Sequence, residues 1–251
     1  MANWSDPRVT GATPRAADPL AGVRVPATAA RDAGLRSYML SVYNYMASGV
    51  LLSGIVALLF KESGLAAQVF LQPGLLKYVI LFSPLIMIFA FGAAVQRMST
   101  AGVSAMFFAF AAIMGLSLSA VTLVYSDASI AQAFFATSAA FVALSLYGYT
   151  TKKDLSGFGT FLIMGVIGLI VASVLNIFLQ SGALNLVISG IGVLIFAGLT
   201  AYDTQRIKSL YFQVAGSDMM GKTAIMGALS LYLDFVNMFQ FLLSFMGGNR
   251  N

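Results

Sequence analysis

Two aspartates, Asp203 and Asp234, stand inside strongly apolar stretches of a chain that has little other chemistry to offer. Asp203 lies in GLTAYDTQRIK (198–208) and Asp234 in LSLYLDFVNMFQFLL (229–243). An isolated carboxylate at the centre of a bilayer costs roughly 2.5–3.5 kcal/mol on insertion scales, so two of them require a structural or functional reason. The 251 residues include no cysteine and no histidine. Thiolate and imidazole metal sites, serine–histidine catalysis, disulfides and imidazole proton relays are therefore excluded, and what remains is carboxylates, hydroxyls, amides and a few cations.

Asp234 belongs to a stripe. Ser230, Asp234, Asn237 and Ser244 follow helical spacing and share one face, while Leu231, Phe235, Met238 and Leu242 point elsewhere. A polar stripe on the last apolar segment predicts a central helix buried by the others. Counting from Lys222 places Asp234 near mid-membrane, and Asp203, three residues before Arg206, near the cytoplasmic end of its own helix. The last helix has an alternative start at Ser217, as N-cap before Asp218. Taken singly, Asp203 reads as an interfacial acid paired with Arg206 or Lys208, and Asp234 as a buried acid bonded to Ser, Asn or Tyr. Taken together they read as a pair, because intramembrane acids face a bundle interior or a water path and seek partners. Two carboxylates in close contact cannot both ionise cheaply, so such a pair responds to pH without histidine.

The elements that must position this pair are membrane helices. The chain is 59% hydrophobic and 9% charged, against about 25% charge in soluble domains. Seven apolar runs, approximately 37–60, 78–95, 103–125, 131–149, 158–179, 184–202 and 223–246, each approach the ~20 residues a helix needs to cross the hydrocarbon. The expected fold is an all-α integral membrane domain over residues 37–247. Residues 1–36, with four of the six prolines and no apolar periodicity, read as a disordered cytoplasmic tail without a signal-peptide core. The two long breaks are 61–77 and 206–222, and the second reads as a mobile loop. Pro84 should bend the second helix and free a carbonyl. Gly165, Gly168, Gly190, Gly192 and Gly198 read as close helix packing.

The net charge of +5 is a matter of topology and not of nucleic acid. With the N-terminus inside, eleven of the fourteen cationic residues fall on the cytoplasmic side and only Lys61, Lys77 and Arg250 outside, an N-in, C-out arrangement by the positive-inside rule. A bacterial inner membrane is the expected location.

The two aspartate segments resemble the paired signature of the Bax inhibitor, or transmembrane Bax inhibitor motif, family in a bacterial form. The resemblance implies six helices surrounding a hydrophobic seventh, in a family described as pH-sensitive calcium-leak channels. It carries Asp203 and Asp234 over as a di-aspartyl sensor. It also implies a sensor-contacting arginine on the second helix, for which Arg97 is the candidate; a plain positive-inside anchor is the other reading of Arg97. Tyr202, Ser230 and Asn237 are supporting polar residues. Calcium takes six to eight oxygens, so a site made of these groups is weak and hydrated. No cofactor is expected beyond calcium as permeant ion, and the partners are the bilayer, calcium and other membrane proteins.

Three rivals compete with that reading. A non-conducting stress-regulatory protein would act through helix contacts with other membrane proteins. An intramembrane aspartyl protease would also use two aspartates, and Tyr202–Asp203 fits, but Asp234 lacks a Gly-x-Gly-Asp setting and no proline follows Pro84. A retinal-binding receptor is excluded because the last run contains no lysine. The chain is expected not to be an enzyme.

Overall fold

The computed structural model describes residues 27–247, with side chains from residue 31. The described residues form helices only: α1 (Ala27–Glu62), α2 (Leu65–Leu71), α3 (Leu76–Ala94), α4 (Thr100–Leu118), α5 (Val121–Val124), α6 (Asp127–Thr150), α7 (Ser156–Leu179), α8 (Gly182–Val214) and α9 (Met219–Met246). Among the described residues seven spans are long and apolar enough to cross a bilayer, with α4 and α5 together making one of them. Helices are the expected solution, because in hydrocarbon every backbone polar group must be satisfied within the segment itself. The turns are closed by hydroxyl caps: Ser99 accepts from the Gly102 amide, Ser126 from Ser129 and Ser181 from Leu184, which satisfies donors that a helix start leaves free.

Helix α9 sits at the centre. In its membrane segment 56% of the residues are buried, against 11% for α3 and α7. It packs on α8, α1, α6 and α4, whereas α3 packs chiefly on α4 and α7 chiefly on α8. The expected ring of six is thus a core of four neighbours with two peripheral helices. The reason lies in α7 and α3 themselves: most of their long apolar side chains, such as Phe161, Ile170, Phe178, Phe82 and Phe89, face outward, where lipid is as good a solvent as a protein core.

Three sequence expectations change. The domain boundary at residue 37 falls inside α1, which begins ten residues earlier; the part of the tail before residue 27 lies outside the described residues. The sixth membrane helix does not end near Tyr202 but runs as α8 to Val214, and α9 starts at Met219, so the 206–222 break reduces to the turn 215–218. Hydropathy falls after Tyr202, yet Ile207 and Tyr211 stay buried. The Tyr211 ring packs 5.4 Å from Tyr38 of α1, and Arg31 lies 4.5 Å over the Phe212 ring. The extension of α8 is therefore held by protein and not by lipid. Finally, Pro84 leaves no orphan: it cannot donate to the Ile80 carbonyl, but the neighbouring Ser83 hydroxyl does, at 2.8 Å, and α3 continues through it.

Small residues set the approach of the helices. A Cβ at Gly148 of α6 would collide with the Ala201 carbonyl of α8, and one at Gly198 would press on Leu162 of α7. Gly165 abuts Ile195, Gly190 touches Phe245 and Gly192 abuts Phe241, whereas Gly168 faces open space. Four of the five expected packing glycines therefore meet a neighbour.

Candidate functional site

The α8–α9 turn makes the last two spans antiparallel neighbours. Asp203 lies eleven residues from Val214 and Asp234 fifteen from Met219, so at ~1.5 Å per residue the two sit about 16 and 22 Å from that turn. Both line one cavity of about 560 Å³, partly open, whose walls come from α7, α8 and α9. Ser230, one turn before Asp234, and Asn237, one turn after it, line the same cavity, as does Ser173 of α7. The remainder of the wall is apolar, including Leu169, Phe196 and Phe241, and the last two rings stack at 5.7 Å between centroids.

Within this setting the two acids differ. Asp234 is 5% exposed, and its Oδ2 has no hydrogen-bond partner; an unmet buried polar atom calls for an explanation. Asp203 is half-buried. The Asn237 side chain donates to the Leu233 carbonyl at 2.8 Å, which leaves its amide oxygen for the cavity. Further along the same stripe, Ser244 receives hydrogen bonds from Asn185 and Ser189 of α8 at 3.2 and 2.9 Å. The stripe read from helical spacing thus faces α8 along its length, and Leu231, Phe235 and Met238 are buried on other faces.

Arg97 is not brought to this cavity. It is exposed in the short connection between α3 and α4 and does not line the site. The cation that the sequence places closest to Asp203 is Arg206, three residues and so one turn on along α8. Lys208 is engaged elsewhere: its Nζ donates to the Tyr149 carbonyl at 2.7 Å and lies 4.9 Å over the Tyr149 ring. Tyr202 turns away as well, with its ring against Gly159 of α7. Helical geometry accounts for this split, since adjacent residues point about 100° apart and Tyr202 and Asp203 cannot share a face.

Two supports were not visible in the chain's spacing. Gln205 accepts from the Leu155 amide at 2.9 Å and donates to the Lys153 carbonyl at 2.8 Å, tying the α6–α7 turn to α8 two residues beyond Asp203. Thr200 and Thr204, both fully buried, return their hydroxyls to the Phe196 and Thr200 carbonyls at 2.8 Å each. A glutamine in a polar stretch and threonines in a helix carry no sequence signal for such roles.

Among the described residues no group of three or more acidic, histidine or cysteine side chains could hold a metal ion. The cavity offers two carboxylates, one amide and two hydroxyls, seven oxygens that reach the six to eight calcium takes only if both carboxylates bind through both of their oxygens.

The fold and this site define a polytopic helical membrane protein with an acid pair between its last two helices. The family model described as inhibitor of apoptosis-promoting Bax1 matches residues 35–251, and the chain belongs to that family. It is 48% identical over 230 residues to an uncharacterized protein of Caulobacter vibrioides, covering 87% of this chain and 91% of that one. An uncharacterized protein of Rickettsia prowazekii is 44% identical, over 88% of this chain and 93% of its own. The inner membrane protein YbhL of Escherichia coli is 41% identical, over 87% and 94% respectively.

Proposed function

We propose that this protein is a calcium-leak channel of the inner membrane whose conduction responds to pH through Asp203 and Asp234. The observation that carries the reading is the placement of both carboxylates, from two packed helices, on one partly open cavity, with Asp234 Oδ2 left without a partner. When both are ionised, like charge keeps them apart. Arg206 and water then compensate them, and a cation is drawn in. On protonation one carboxyl donates to the other, and the shared hydrogen bond clamps α8 to α9. Because the cavity is partly open, an ion there keeps water among its ligands, which favours passage over retention. The N-terminus is assigned to the cytoplasm by the distribution of cations. The relative named an inner membrane protein supports the location.

The test is calcium release from vesicles containing the purified protein, measured across pH for wild type, Asp203→Asn and Asp234→Asn. Wild type should conduct in a pH-dependent manner, and each substitution should flatten that dependence. Unchanged flux and pH profile in both variants would sink the sensor. No wild-type flux at any pH would point instead to a non-conducting interaction protein, and cleavage of a membrane peptide to a protease.

A further inference from the structure

A second cavity lies away from the aspartates, at the end of the bundle where α1 stops and α6 begins. It measures about 490 Å³ and is walled by α1, the α4–α5 segment, α6 and α9. Along α1 it runs from Lys61 and Glu62 at the mouth to Val50 in its depth. Those eleven residues rise about 16 Å, close to half of the ~30 Å hydrocarbon thickness, which is one leaflet.

Chemistry is sorted along that axis. At the mouth, Lys61 Nζ lies 2.7 Å from Asp127 Oδ1 and 4.0 Å from Glu62 Oε1, so one cation meets two acids. Below them Phe134 packs edge-on against Phe235 and Phe239, with centroids 5.8 and 6.5 Å apart. The polar atoms of the inner wall are already satisfied. Ser53 Oγ bonds the Gly49 and Ala111 carbonyls and the Tyr232 hydroxyl, and the Thr122 hydroxyl donates to the Ser119 carbonyl. Nothing inside calls for a polar ligand. A Cβ at Gly54 would stand in open space, and Phe135 and Leu58 on the rim are 71% and 56% exposed, so the cavity is entered from the lipid side.

We propose that this cavity holds one acyl chain of a phospholipid whose head group carries both a phosphate and a primary ammonium, as in phosphatidylethanolamine. Lys61 meets the phosphate, and Asp127 and Glu62 meet the ammonium. A purely anionic head would face two acids and one cation and is disfavoured. In the Lys61–Asp127 pair the lysine is 18% exposed and the acid 67%, so the acid side is open to solvent, where ion pairs are weakly held.

The full-length protein in mild detergent is equilibrated with vesicles of dioleoyl phosphatidylethanolamine and dioleoyl phosphatidylglycerol in equal amounts and repurified, and retained lipid is counted by native mass spectrometry. Phosphatidylethanolamine should be retained over phosphatidylglycerol by about fivefold or more. Gly54→Phe, which fills the space of the chain, should lower its retention by about as much. Lys61→Ala combined with Asp127→Ala should erase the head-group preference. Equal retention of both lipids, or retention unchanged in Gly54→Phe, overturns the site. A second measurement does not depend on the folding of Gly54→Phe. Phe239→Trp is made in a chain whose single tryptophan is changed by Trp4→Phe. Acyl-brominated phosphatidylethanolamine should quench that reporter more strongly than acyl-brominated phosphatidylglycerol, and equal quenching overturns the proposal.

Discussion

Ser53 of α1 and Tyr232 of α9 place their hydroxyl oxygens 2.6 Å apart in a buried contact. Ser53 has one proton, and its Oγ lies 2.9 Å from the Gly49 carbonyl and 2.7 Å from that of Ala111 on α4. Tyr232, two residues before Asp234, is therefore the donor to Ser53, and three helices meet at the Ser53 hydroxyl. The two deletions are unequal. Tyr232→Phe removes a donor from an oxygen that keeps its own bond, and should cost about 0.5–1.5 kcal/mol; Ser53→Ala orphans a fully buried phenol and should cost about 1–3 kcal/mol. Unfolding in detergent should rank Ser53→Ala as the worse, with the double variant less destabilised than the sum. A larger effect for Tyr232→Phe would contradict this assignment of donor and acceptor.

Gly148 and Gly168 should respond oppositely to the same change. Gly148→Ala sets a methyl against the Ala201 backbone, which cannot rotate aside as a side chain can, and overpacking of this kind typically costs about 1–3 kcal/mol. Gly168→Ala enters open space and gains up to about 1 kcal/mol of helix propensity. Thermal unfolding of the two variants gives the comparison, and equal shifts would show that α6 and α8 do not rely on this approach.

Arg206 and Arg97 separate the two candidates for the cation that serves the pair. Removing positive charge near a carboxylate disfavours its ionised form. Arg206→Gln should therefore move the midpoint of pH-dependent flux to higher pH, while Arg97→Gln, exposed between α3 and α4, should leave it in place. A shift confined to Arg97→Gln would reinstate the assignment carried by the family resemblance.

The α6–α7 turn makes a local prediction. Asp154 accepts from the Ser156 amide at 2.9 Å, and the Ser156 hydroxyl, together with that amide, holds its carboxyl below the usual range. A depressed value in the folded protein means that the contribution is present above the ordinary aspartate value and is lost as pH falls through the lower, folded one. Exchange of the Ser156 amide should thus be insensitive to this group between pH 5 and 8, so any change in flux near neutrality arises elsewhere. In the same turn Gln205→Ala removes the acceptor of the Leu155 amide. Loss of one such bond, about 0.5–1.5 kcal/mol, should speed Leu155 exchange roughly two- to thirteenfold. Unaltered exchange would show that Gln205 is not the clamp.

Much of the site could be read along the chain, because membrane burial imposes local rules. An acid in an apolar run stands out against its neighbours, as Asp203 and Asp234 do, and a 3.6-residue period put Ser230 and Asn237 on the face of Asp234 that lines the cavity. The same locality misled at Tyr202 and Arg97. Tyr202 follows Asp203 in neither direction nor environment, and Arg97 stands just beyond the end of α3 and does not line the cavity of Asp203 and Asp234.

Sequence alone determined the number of spans, the absence of thiol and imidazole chemistry, and the two acids on the last two helices, since each follows from residue type and period. Only the tertiary structure decided that α8 continues to Val214, because hydropathy measures affinity for lipid and cannot register Tyr211 packed on Tyr38. It alone placed α3 and α7 at the periphery, and exchanged Arg97 for Arg206 beside Asp203. Those outcomes rest on contacts between residues far apart in the chain, and no local pattern encodes them.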